Sequence, residues 1–142
     1  MEQDYNVRAV PSALVGQMWR YAEPYVKRAL DHTFGEISVE HLRQSCMDRD
    51  TGLWLITKND LVKGAAVTQI TVYPNMKVCR IITLAGSEFE QWRAFALNVL
   101  GMYAIHEGCE GVEAYVRKGF VPKLVELGFK HKYSVCHLSL KD

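Results

Sequence analysis

The chain has 142 residues, 49% of them apolar, and a formal net charge of +1. That length suits one domain, residues 1–142, with a core of its own. The composition excludes a disordered or fibrous chain, and the near-neutral charge excludes a surface built to attract nucleic acid or anionic lipid. Residues 1–8 are polar and lack the charged-then-apolar pattern of a secretory leader, and no apolar run approaches the ~20 residues that cross a bilayer. A cytoplasmic protein is expected, with Cys46, Cys79, Cys109 and Cys136 reduced.

In chain order, residues 7–10 read as a first strand. Pro11 then stands where a helix's first turn tolerates proline. Leu14, Met18 and Tyr21 follow at helical spacing. Pro24 predicts a break and a restart, with Tyr25, Val26, Ala29 and Leu30 on the buried side and Gly35 as the end. Ser38 predicts an N-cap, with Ile37 and Leu42 at the spacing of a hydrophobic staple. That helix should dissolve at Asp48-Arg49-Asp50. Three β-rich runs come next, at 53–57, 61–72 and 78–84, separated by turns at Lys58-Asn59-Asp60 and Tyr73-Pro74-Asn75.

Ser87 and Glu90 stand at capping-box spacing. Behind them Phe89, Trp92, Phe95, Ala96, Val99, Leu100 and Tyr103 form one apolar stripe, stopped by Gly108. A strand at 112–116, a short helix at 121–127 with Pro122 in its first turn, and one or two strands within 129–140 complete the chain. The order predicts an α/β fold: a mixed central sheet, mostly antiparallel with a parallel pair, and helices on both faces.

This order is similar to that of the GNAT superfamily of N-acetyltransferases. Leu53-Trp54-Leu55-Ile56, a turn and Leu61-Val62-Lys63-Gly64-Ala65-Ala66 resemble its second and third strands. Glu126-Leu127-Gly128-Phe129 resembles the end of its fourth helix. Over about residues 84–140 the chain resembles small GNAT-like proteins encoded by bacteriophages and prophages, through Trp92, Ala104, Gly108-Cys109, Val112-Glu113, Arg117, Gly119-Phe120, Leu124 and Gly128-Phe129. These are glycines and core positions, which specify a fold more than an activity.

The resemblance implies acetyl-CoA as cofactor and an amine as acceptor. It places the pyrophosphate cradle at Leu84, Ala85, Gly86 and Ser87, where backbone amides and the helix dipole would hold phosphate. The family's basic or glutamine residue and second glycine are not in register there. Glu88 and Glu90 add two carboxylates to the first turn, so weak binding is expected. Leu124 occupies the position of the usual tyrosine acid and cannot donate a proton.

Tyr115 and Tyr103 are the substitutes, and Glu113 or a histidine acting through water is the candidate base. Each also has a plainer reading, a core tyrosine with its hydroxyl at the rim or a carboxylate on a solvated sheet face. His106 and Cys109 are too few for a metal site. His131 and His137, beside Lys130 and Lys132, read as a solvated strand edge rather than a nucleic-acid surface. Two functions remain open: an N-acetyltransferase with an unorthodox site, or a non-catalytic phage protein of virion assembly or host interaction, with phage structural or host proteins as partners. Homo-oligomerisation stays open in both.

Overall fold

The computed structural model describes residues 4–31 and 35–141. Five strands, β1 (Tyr5–Val10), β2 (Gly52–Lys58), β3 (Leu61–Val72), β4 (Lys77–Gly86) and β5 (Gly111–Ala114), lie in that order in one sheet. The first four pair antiparallel, and β4 pairs β5 in parallel. This is the mixed sheet expected from the sequence. The β2–β3 hairpin closes on Asn59 and Asp60, both at positive φ (51° and 66°), the twist a two-residue hairpin turn requires.

Helices α1 (Val15–Leu30) and α2 (Val39–Met47) cover one face. Val15, Trp19, Val26 and Leu42 pack there against Leu53 and Val67. Helix α3 (Phe89–His106) covers the other face, where Trp92 and Ala96 meet Ile56, and Leu100 meets Trp54 and Ile81. The short α4 (Val121–Glu126) is tied to α3 by an Arg93–Glu126 ion pair at 3.4 Å. Among the described residues no helix is long and apolar enough to cross a membrane.

Four expectations need correction. First, α1 runs unbroken through Pro24. Pro24 lies on the exposed side, where solvent can hydrate the carbonyl that proline leaves without an amide. Second, the buried stripe is Val15, Trp19, Ala22 and Val26, while Leu14 and Tyr21 are each 43% exposed. The helix starts later than Pro11, after a 3-10 turn at Ser12–Leu14, which shifts its phase. The helix ends at Leu30 rather than at Gly35, and residues 32–34 between them lie outside the described residues.

Third, Ser87 does not cap α3. Its amide donates to Lys63 O at 2.7 Å, so the residue is still held by the sheet. Glu88, at φ 59°, takes the N-cap position without a side-chain cap. Fourth, residues 129–141 join no strand, and Tyr133, Val135, Leu138 and Leu140 are exposed. By contrast Ser38 does cap α2: its Oγ accepts the His41 amide at 3.1 Å, and His41 Nδ1 accepts the Ser38 amide in return.

Candidate active site

The β4–β5 ladder runs from Val78↔Gly111 to Ile81↔Ala114 and stops. One residue later β4 bulges: Thr68 pairs with Ile81 but Val67 pairs with Thr83, leaving Ile82 extra. A bulge bends its strand and sharpens the local twist, so β4 turns away from β5 at this step. From there to Gly86 its strand partner is β3. The gap is a cleft of about 260 Å³. Residues 81–86 form one wall and residues 114–117 the other. Phe89, Phe120 and Leu124 line the α3 side, with the two phenyl rings 5.8 Å apart, and Arg28 and Ala29 at the end of α1 line the opposite side.

The polar groups sit mostly on the α1 side of the sheet. Val112 and Ala114 pack into the core under α3, so by strand alternation Glu113 and Tyr115 face the other way. Tyr73, just past the end of β3, donates its hydroxyl to Glu113 Oε1 at 2.6 Å. That bond, with a second contact to Tyr115, pushes the Tyr73 pKa well above the ordinary tyrosine value. The Arg80 guanidinium lies 4.0 Å from the Tyr115 ring centre, a cation–π contact. Thr83 is 4% exposed, and its hydroxyl has no hydrogen-bond partner.

At the N-terminus of α3 each carboxylate is matched by a cation. Glu88 accepts from Tyr5 OH at 2.5 Å and from Lys63 at 3.3 Å, and these bonds, Tyr5 first, hold its pKa below the usual value. Glu90 pairs with Arg93 at 3.0 Å and Lys123 at 3.6 Å.

No protein-family model matches the sequence, and no curated protein matches it. Solved structures do. An aminoglycoside acetyltransferase from an uncultured soil metagenomic sample, crystallised with trehalose, aligns over 99% of each chain with a TM-score of 0.71 and 11% identity. Glucosamine-6-phosphate N-acetyltransferase from Arabidopsis thaliana aligns over 96% of this chain and 99% of its own, with a TM-score of 0.65 and 11% identity. Aminoglycoside N-acetyltransferase AAC(6')-Iy in complex with CoA gives 0.66 at 12% identity over 97% and 95%. The chain has the GNAT fold.

Within that GNAT fold, Leu84, Ala85 and Gly86 form part of the cleft wall, and Ser87 lies past it with its amide bonded to Lys63 O. Tyr115 lines the cleft but follows the end of β5 and is 58% exposed. Glu113 lies next to it, held by Tyr73. Tyr103 is elsewhere, edge-on to Trp54 with ring centres 5.0 Å apart. Leu124 is buried against the cleft. Among the described residues no group of three His, Cys, Asp or Glu side chains could hold a metal. Tyr73, Thr83 and Arg28 were not singled out by the sequence. The Tyr73–Glu113 bond spans 40 positions, so no local spacing could reveal it. Thr83 did leave a signal, as the one hydroxyl in Ile81-Ile82-Thr83-Leu84-Ala85.

Proposed function

We propose that this chain is an N-acyltransferase that takes an acyl group from acetyl-CoA, or a close acyl-CoA, to an amine. The observation that carries this reading is the parting of β4 from β5 at Ile81↔Ala114. It leaves backbone of β4 without a strand partner along a narrow, largely apolar slot. Such a slot suits a thin chain bearing amide groups better than a broad ligand. A structural neighbour holds CoA, and two others act on amine-bearing sugars by their names. Arg117 and Arg28 give the slot's mouth positive charge for phosphate.

Bound acetyl-CoA supplies an acyl thioester. Glu113 takes the proton of the attacking amine through a water, its carboxylate oriented by the Tyr73 hydroxyl. Tyr115 donates a proton to the leaving sulfur. Tyr73 touches both residues and keeps its own proton, so it positions the pair rather than titrating with them.

Calorimetry with acetyl-CoA tests the binding step. One-site binding is expected, and Arg117→Glu should weaken it most at low salt. Thiol release with a panel of primary amines tests the chemistry: Glu113→Gln should slow it about 100-fold or more. A wild-type protein that binds no acyl-CoA would sink the proposal and favour a non-catalytic role for the fold, as in a phage assembly or host-interaction protein.

A further inference from the structure

Three strands carry a polar row across the α1 side of the sheet. Gln69 of β3 is in register with Arg80 of β4, and Arg80 with Glu113 of β5. Ile81 packs under α3, and Thr68 bonds Trp54 there, so by alternation Arg80 and Gln69 face the same way as Glu113. The core under α1 lies farther along these strands, at Val67 and Ile82. It does not seal the row: Gln69, Arg80 and Glu113 are half-buried, and Tyr115 beside them is 58% exposed. A small molecule can reach these groups from solvent.

Arg80 and Glu113 are opposite charges on adjacent strands, roughly 5 Å apart from backbone to backbone. They do not pair. Glu113 is turned to the Tyr73 hydroxyl at 2.6 Å, and the Arg80 guanidinium is laid on the Tyr115 ring at 4.0 Å. Among the described residues Arg80 makes no ion pair with any carboxylate. Its Nε is covered, whereas its two terminal nitrogens are open.

A cation and a carboxylate held side by side and kept apart form a receptor for a molecule that carries the same two charges in reverse. The guanidinium fork takes a carboxylate through two parallel N–H bonds. Glu113 faces the amine. One carbon or a few between those two groups spans the step from one strand to the next. A diamine would instead set an ammonium against Arg80.

We propose that the amine acceptor is a free amino acid, with its carboxylate on Arg80 and its amine beside Glu113. This rests on the acyl-CoA reading above and names the acceptor that reading leaves open. The acyl carbon's bond to sulfur breaks as its bond to the amine nitrogen forms. One proton leaves the amine by way of Glu113 and one reaches the sulfur from Tyr115, so the products are an N-acylated amino acid and free CoA. Arg80 selects the amine and takes no part in the proton transfers.

Thiol release from acetyl-CoA is measured with a panel of free amino acids, with the amide of each and with diamines, for wild type, Arg80→Gln and Arg80→Lys. Wild type should prefer an amino acid over its own amide on the order of tenfold in kcat/KM, the worth of one charge-assisted pair. The amide's amine is the less basic and is more often free of its proton, so chemistry alone gives the opposite order. Arg80→Gln should bring the ratio to one or below, through KM rather than kcat. The ratio cancels any general effect of the substitution on folding or on Tyr115. Arg80→Lys keeps the charge and should keep part of the preference. Calorimetry adds a readout independent of turnover: wild type saturated with CoA should bind the preferred amino acid and not its amide. The inference is overturned if no amino acid is preferred over its amide, if diamines outrank amino acids, or if Arg80→Gln keeps the wild-type ratio. Wild type binding no acetyl-CoA removes the acyl-CoA reading itself, a result distinct from all three.

Discussion

Trp92 is fully buried, and its indole lies against the glycine pair Gly64 and Gly86. A Cβ at Gly64 would stand 2.8 Å from the indole, and one at Gly86 2.7 Å, closer than real carbon contacts come. The Trp92 N–H donates to Ser87 O at 2.7 Å. Gly86 is thus required by packing inside the sheet–helix layer, whatever it also does for a ligand. Beside it, Tyr5 and Glu88 share a short hydrogen bond that joins the first strand to the start of α3. That bond, together with burial, pushes the Tyr5 pKa from 10.0 to about 12.

A folded-state pKa above the unfolded one means that the stabilisation is full below pH 10 and fades as pH climbs toward 12. Glu88 has the opposite sign, with a folded pKa below the ordinary 4.5. Its contribution is full above that value and is lost as pH falls through the lowered one. Urea melts of wild type and Tyr5→Phe should therefore differ by a constant amount through neutral pH and converge above pH 10. A gap that persists to the alkaline end would show that the Tyr5 proton is not held by this bond.

At the scale of elements, two serines with similar sequence signatures end up in different roles. Ser38 and Ser87 each precede an apolar helical stripe, and each has a side chain three residues on that can bond back. Ser38 follows a loop and is free to take the extended conformation of a cap, with φ −102° and ψ 163°. Ser87 follows a ten-residue strand, and the hairpin ladder claims its amide. Capping signals are local, and a ladder formed with Lys63 is not, so the sequence shows where each helix lies but not which residue starts it. Ser38→Ala should cost about 1 kcal/mol. Ser87→Ala should cost well under half of that, since its side chain caps nothing. Denaturant midpoints compare the two directly, and equal losses would restore Ser87 as a cap. The same limit applies to Pro24: its cost depends on which side of α1 faces water, and the phase was set by the 3-10 turn at Ser12–Leu14.

For the whole molecule, the succession of strands and helices, the mixed sheet with its parallel pair and the two helical layers were legible, because hydrophobic periodicity and β-branched runs are properties of each segment. The bulge at Ile82, and with it the cleft, was not, since an extra residue on one strand is defined only against its partner. The tail failed for a related reason. Tyr133 and Val135 alternate in one phase and Leu138 and Leu140 in the other, so no single strand face collects all four. β5 offers an edge of only four residues, from Gly111 to Ala114. Residues 130–141 are all exposed.

Exposed backbone outside any ladder is what a protease needs, and Lys130 and Lys132 stand at the start of this segment. Limited trypsin digestion should cut there first, while lysines within strands, such as Lys63, stay intact. The product ending near Lys132 should melt within a degree or two of the full chain, because the removed residues bury almost nothing. A tail as protected as β3, or a truncated protein that melts much lower, would show that residues 133–141 pair with the open edge of β5 in solution. The strand expected from the sequence within 129–140 would then have found its ladder after all.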